Sequence, residues 1–265
     1  MAPQYPSGFP EAKGSLALRY LAEMIRPAAH RLLLLPATLA MATAIAERVP
    51  VAQPPARLDV GSFTILLNGQ RVGREQFSVQ RVDAGDGATL ELRAESSIGD
   101  RRSAMRLEAD SAGTPVRYSV EERRGPELLL RLGGQRVRGR FATLARSVTG
   151  EAAREYLLRP GAVVVEDDGF VQHTLLVRAR ALAVDSGVTL PSLTPVANAQ
   201  GAVRIVLEAE ADEVSIAGTR RPARRWRIVT ASGELRLVWA ERDGQLLRIR
   251  IPGRGLEALR DDVPR

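Results

Sequence analysis

The stretch Arg225-Trp226-Arg227-Ile228-Val229-Thr230-Ala231-Ser232-Gly233-Glu234-Leu235-Arg236-Leu237-Val238-Trp239-Ala240-Glu241-Arg242-Asp243-Gly244-Gln245-Leu246-Leu247-Arg248-Ile249-Arg250-Ile251 decides the fold. Apolar and charged residues alternate through it, and Ser232-Gly233 and Asp243-Gly244 stand where turns should fall. Such alternation marks strands with one buried and one wetted face, so the stretch reads as antiparallel hairpins. A two-residue Ser232-Gly233 loop predicts Trp226 opposite Trp239 and Ile228 opposite Leu237. In the next connection, a two-residue Asp243-Gly244 loop sets Arg248 against Trp239 and Arg250 against Leu237. A three-residue Arg242-Asp243-Gly244 loop with Gly244 left-handed instead sets Leu247 against Trp239 and Ile249 against Leu237. A one-residue slip turns every side chain over, and the hydrophobic pattern selects the second pairing. The expectation is one face carrying Trp226, Ile228, Leu235, Leu237, Trp239, Leu247, Ile249 and Ile251. The other face gathers Arg225, Arg227, Arg236, Arg248 and Arg250, with Arg236 opposite Arg250.

The same pattern extends outward. Leu90, Leu92 and Ala94 alternate with Glu91, Arg93 and Glu95, and Val203, Ile205 and Leu207 with Arg204 and Glu208. Turn signals punctuate them at Asn68-Gly69, Asp86-Gly87, Ala112-Gly113-Thr114-Pro115 and Gly133-Gly134. One segment departs from this. Asp167-Asp168-Gly169 precedes Phe170, Val171, Leu175, Val177 and Leu182 at roughly helical spacing, which predicts a helix over 168–182 with an aspartate cap. Residues 184–200, with Pro191, Pro195 and Asn198, read as a long loop leading to a second set of strands.

The N-terminal region reads as an address. Leu32-Leu33-Leu34-Leu35-Pro36-Ala37 opens an apolar run that ends at Ala44-Ile45-Ala46, with Arg26 and Arg31 before it. Basic, apolar and small-x-small in that order is the pattern of a secretory signal peptide, here 24–46. The run is short for a bilayer span, which needs about 20 apolar residues, so an uncleaved anchor is the lesser reading. Residues 1–23 are polar and read as a disordered extension, or translation starts at Met24. Residues 47–57 form a proline-rich stalk, and 58–262 form a single antiparallel β domain. The expected location is the periplasm or cell envelope of a bacterium.

Composition narrows the chemistry. The chain has no cysteine, which removes disulfides, thiolate sites and lipoprotein acylation. Of the net charge of +7, residues 1–46 carry +2 (Lys13, Arg19, Arg26 and Arg31 against Glu11 and Glu23), leaving about +5 for the domain. His173 is the domain's single histidine, and a lone histidine on a helix is more often packed than ligating. No G-x-S-x-G elbow, phosphate loop or metal-ligand spacing is present, so no catalytic, cofactor-binding or metal residues are assigned. Asp167-Asp168 and Asp261-Asp262 are adjacent acids, which point apart on a strand. The arginine face is the sharpest local feature: like charges opposed across strands call for carboxylates or a bound anion, such as an anionic lipid headgroup or membrane surface. Its bland reading is a solvated face satisfied by Glu208, Glu234 and Glu241. Trp226 and Trp239 are core residues first and, with Phe170 and His173, candidates to touch an apolar ligand second. Nucleic acid is not an expected partner, because export removes it and stacking aromatics are few.

The opening Gly61-Ser62-Phe63-Thr64-Ile65 with Asn68-Gly69-Gln70-Arg71-Val72-Gly73-Arg74-Glu75-Gln76-Phe77 resembles a group of uncharacterised exported bacterial β domains. Asp167-Asp168-Gly169-Phe170 and the closing Val238-Trp239-Ala240-Glu241-Arg242-Asp243-Gly244 find counterparts in it, so the resemblance covers residues 58–262. It implies a mainly β fold in which a strongly curved antiparallel sheet, a half-barrel or open barrel reminiscent of LolA-like lipoprotein carriers, packs on one helix. It implies no catalytic residues. The function expected is a non-enzymatic envelope protein that binds an apolar or amphiphilic, lipid-like ligand in the curved sheet. The alternatives are an extrinsic subunit docked on a membrane complex and, more distantly, a hydrolase.

Overall fold

The computed structural model describes residues 56–84, 87–178 and 187–264. The expected leader, the extension before it and most of the stalk lie outside the described residues; the first strand already begins at Ala56, inside the expected stalk. The strands are β1 (Ala56–Leu67), β2 (Gln70–Ala84), β3 (Gly87–Ile98), β4 (Arg101–Asp110), β5 (Pro115–Arg124), β6 (Glu127–Val137), β7 (Arg140–Ser147) and β8 (Gly150–Leu157). A two-residue β9 (Val163–Val164) and helix α1 (His173–Arg178) follow. Then come β10 (Val188–Thr194), β11 (Ala199–Ile216), β12 (Thr219–Val229), β13 (Leu235–Ala240), β14 (Leu246–Ile251), a 3-10 turn (Pro252–Arg254) and β15 (Leu256–Arg260).

All fifteen strands belong to one sheet, running from β8 back to β1, across to β15, and back again to β9. Neighbours are antiparallel except β9 beside β10. The two edges, β8 and β9, are consecutive in the chain and separated only by residues 158–162. Six Cα steps reach at most about 21 Å, so a sheet this wide must curl until its edges nearly meet. Side chains cross that seam: the Tyr156 hydroxyl bonds Asn198 Oδ1 at 3.1 Å, and Gln200 Nε2 donates to the Leu157 carbonyl at 2.7 Å. No ladder joins β8 to β9, so the barrel is open.

The inward positions of every long strand form one core. Phe63 stacks on Phe77 at 4.8 Å between ring centres, and Leu92, Leu107, Phe141, Ile205 and Ile228 are fully buried around the same interior. Outward positions carry arginines and carboxylates that pair across and along neighbouring strands. Glu91 meets Arg106, Glu108 meets Arg106 and Arg117, and Glu121 meets Arg131. Gly133-Gly134, a turn signal in the sequence, lies inside β6. A Cβ at Gly134 would stand 2.6 Å from the Phe141 ring, so the glycine makes room for an aromatic on the next strand. The loop expected over 184–200 contains β10, with Pro191 in the half of that strand that β9 does not reach, where a missing N–H costs no ladder bond.

The decisive stretch forms the three expected strands in a register one residue away from the expected one. The first loop has three residues: Thr230 N bonds the Glu234 carbonyl at 3.0 Å and Gly233, at φ 83°, closes it. Trp226 therefore opposes Val238, and Ile228 opposes Arg236. The second loop is the expected Arg242-Asp243-Gly244, with Glu241 N bonding the Gln245 carbonyl at 2.9 Å. A bulge beyond it then shifts the pairing, setting Arg248 against Trp239 and Arg250 against Leu237. The bulge lets both Leu246 and Leu247 be fully buried, one in the interior and one on the opposite face. The tryptophans consequently lie on opposite faces. Trp226 is in the interior; Trp239 joins Val214, Ile216, Ala223 and Leu247 in a small second core on the outside, beneath the far half of the β11–β12 hairpin. The five-arginine face is corrected with it, because Arg236 points inward and opposes Ile228 rather than Arg250.

The junction of β1 and β15 joins the two halves of the sheet and is clipped by charge. Arg260, fully buried, donates to both Asp59 carboxylate oxygens at 3.0 and 2.7 Å and lies 5.3 Å from the Phe77 ring centre. Gly61 makes this possible, since a Cβ there would stand 2.8 Å from the guanidinium. Asp261 accepts from the Ser62 and Thr64 hydroxyls and Asp262 from the Ser62 amide, so the adjacent acids fasten β1. Breaking a buried pair on one side leaves an uncompensated charge. Asp59→Ala should destabilise the domain by about 3–5 kcal/mol in urea denaturation. Asp59→Leu combined with Arg260→Met should lose markedly less. Equal losses would show that the pair contributes no more than its packing.

Candidate functional site: a plugged mouth

After β8 the chain turns inward and fills the interior of its own sheet. Val163, Val164 and Val165 are buried, and the next loop supplies its own hydrogen bonds through one side chain. Gln172 accepts from Glu166 N at 2.9 Å and donates to the Glu166 and Gly169 carbonyls at 2.6 and 2.9 Å. Tight i to i−3 bonds from His173, Thr174 and Leu175 then start α1, which buries His173, Thr174, Leu175, Leu176 and Val177. The described helix is thus shorter than 168–182 and starts later; residues 179–186 lie outside the described residues. Neither aspartate caps it. The amides of Phe170 and Val171 donate instead to Glu75 of β2, at 3.3 and 2.9 Å, across the interior. Glu75 stands two residues before Phe77 on the inward face, and burial raises its pKa from 4.5 to about 7 against the opposing pull of those two amides.

Two arginines hold the mouth of the plug. Arg236 Nη1 donates to the Glu166 carbonyl at 2.9 Å and meets His173 Nε2 at 3.4 Å, while its Nη2 pairs with Asp167 at 3.2 Å and Glu234 at 2.8 Å. Arg254, on the 3-10 turn, donates to the Asp167 carbonyl at 3.0 Å and pairs with Asp168 at 2.5 Å. The Asp167 side chain is 58% exposed and that of Arg236 is fully buried, so this pair spans the boundary between solvent and interior. Burial and the adjacent Arg236 charge push His173 down from 6.5 to about 3, which leaves the ring neutral. Its Nδ1 sits 2.8 Å from the Phe170 carbonyl and carries the proton, leaving the Nε2 lone pair to face Arg236. Glu166 is raised from 4.5 to about 7, chiefly by burial, with Val196 N and the Tyr118 hydroxyl pulling it back.

Of the sequence-stretch candidates, the structure brings Phe170, His173 and Arg236 together at the plug and places Trp226 in the same interior core. The others stand apart on the outer face. Trp239 donates to Asp212 at 2.9 Å beneath Arg248. Arg225 and Arg227 share Glu208, and Arg248 and Arg250 share Glu257. Glu75, Glu166, Gln172 and Arg254 were missed. For Glu75 the signal was present: a charged residue on the apolar parity of a strand. Among the described residues, no three His, Asp or Glu side chains converge as metal ligands.

No protein-family model matches the chain, and no curated protein matches it. Among solved structures, it is similar to a beta-barrel-like protein of domain of unknown function DUF1849 from Brucella abortus. The TM-score is 0.50 and the identity 11%, over 78% of this chain and 96% of that one. The likeness is one of fold: an open, β-barrel-like domain.

The plug's buried groups set a pH dependence. Glu75 and Glu166 bind protons more tightly folded than unfolded, so their stabilisation is complete below pH 4.5 and lost as pH rises toward 7. His173 acts oppositely: its contribution is present above 6.5 and lost as pH falls toward 3. Glu75→Gln removes one of the acidic contributions. Urea denaturation should therefore show the variant gaining about 3 kcal/mol relative to the parent between pH 4.5 and 7.5. A pH-independent difference would mean that Glu75 titrates normally.

Proposed function

We propose that this chain is a non-enzymatic, exported protein of a bacterial envelope that takes an apolar or amphiphilic ligand into its curled sheet, in the manner of LolA-like carriers. One observation carries the reading: the interior is lined by apolar side chains from almost every strand, yet what fills it is a single segment that is not part of the ladder beyond β9. That segment is fastened by a few polar contacts to Glu75, Arg236 and Arg254. The reading requires this buried element, which lies outside the ladder beyond β9, to open at lower free energy than the strands around it. Its departure leaves a dry, apolar cavity ready for a chain-like ligand.

A second reading, docking on a membrane complex, draws on Val148 in the β7–β8 turn and Leu157 at the end of β8, which are 68% and 53% exposed. Native mass spectrometry of the protein purified from envelope extract, followed by lipid extraction, separates the two. A stoichiometric lipid-sized adduct is the expected result. A bare domain or one bound to another protein would contradict the carrier reading and favour docking.

A further inference from the structure

We infer that the ligand of this interior is a single-chain amphiphile with an anionic head, and that Arg236 and Arg254 are the residues that receive the head. The inference rests on the carrier reading above and adds the chemistry of its ligand. The plug already has the form of such a molecule. Its apolar part, Phe170, Val171, Leu175, Leu176 and Val177, lies in the core and covers the inner face of the sheet. Its acidic part, Glu166-Asp167-Asp168, stops at the mouth, where Asp167 and Asp168 are more than half exposed.

The mouth is built for negative charge. Arg236 is fully buried and its donors are divided between permanent and removable partners. Glu234, two residues before it and just ahead of β13, stays with it at 2.8 Å, whereas the Glu166 carbonyl and the Asp167 carboxylate belong to the plug. If the plug leaves, Arg236 retains one carboxylate and loses three acceptors, the Glu166 carbonyl, the Asp167 carboxylate and His173 Nε2. Arg254 loses both its carbonyl and its carboxylate partner. Two guanidiniums left short of acceptors at the rim of an apolar cavity call for an incoming anion, and a planar guanidinium matches a carboxylate or phosphate with paired N–H bonds. A neutral head can accept a hydrogen bond from Arg236 but brings no charge to match the buried guanidinium, losing the stronger charge-assisted pairing. The ligand and the plug therefore compete for the same two arginines and the same apolar wall.

The test is competition binding against a fluorescent fatty-acid probe, below micellar concentrations, with three ligands of one chain: oleate, oleoyl lysophosphatidic acid and oleyl alcohol. The inference expects at least one anionic ligand to bind tenfold or more tighter than the alcohol. Preference for oleate points to free fatty acids as the source, and preference for the lysophosphatidate to phospholipid-derived heads. Arg254→Gln, at a partly exposed position, should cut the ratio of anionic to alcohol affinity several-fold, a ratio that loosening of the plug alone does not change. Asp167→Asn removes the internal competitor for Arg236 and should tighten anionic binding more than alcohol binding, whereas mere loosening of the plug would tighten both alike. Arg236→Gln should erase the anionic preference if the variant folds. If alcohol and anions bind equally, or if the preference survives Arg254→Gln and Asp167→Asn unchanged, the head-group assignment is overturned while the carrier reading stands. If none of the three binds, both fall.

Discussion

The shape of this protein follows from a short tether. β8 and β9 occupy opposite ends of a fifteen-strand order, yet residues 158–162 alone connect them. A flat sheet of that width would hold its edges many strand spacings apart, at about 4.8 Å each. The tether forbids it, so the sheet must curl, and the natural right-handed twist of strands gives it the way to do so. Curling creates an inside, and the same tether delivers the next segment of chain to that inside. Plug and barrel are therefore two consequences of one connection.

Charge is handled differently on the two faces. Outside, like charges stand directly opposite at several positions, Glu91 to Glu108, Arg93 to Arg106 and Arg131 to Arg146. Ion pairs to neighbouring residues offset them in water, each contributing little individually. Inside, the ionic groups are few and each is tied to a specific task. Arg260 and Asp59 join the first and last strands. Glu75, Arg236 and Arg254 hold the plug from the surrounding wall and rim. Packing can cover the apolar surface of the plug without fixing its depth or rotation, whereas hydrogen bonds to named carbonyls and amides fix both. The polar contacts set where the segment sits, and the apolar contacts supply most of the stabilisation.

The sheet itself was legible because period-two alternation is local. Leu92 and Ala94 face inward and Glu91 and Arg93 outward, as their spacing says. Asn68-Gly69 turns β1 into β2 as a two-residue loop. Register was harder, since it depends on one residue in a loop. Thr230, rather than Val229 or Ala231, closes the first hairpin, and that single step moved Arg236 from the outer face into the core. Leu246-Leu247, two adjacent leucines both fully buried, carried the signature of the bulge that the alternation rule passes over. The plug was legible only in part. Its helical spacing was visible, but its cap comes from Glu75, 95 residues earlier than Phe170, and a contact across the fold leaves no local trace. Of the five arginines expected on one face, Arg236 turned inward and, with Arg254, ties the plug, while the other four stay outside with carboxylate partners.

The account stands on the plug being separable from the sheet that surrounds it. Amide hydrogen exchange, followed residue by residue under native conditions, tests this directly by comparing the amides of Phe170, Val171 and Leu175 with those of the β2 and β13 ladders. The account predicts that the plug amides are protected but exchange through an opening several kcal/mol cheaper than global unfolding, while the ladder amides exchange only when the whole domain unfolds. Plug amides that exchange at the global rate would make the segment an inseparable part of the core and contradict it.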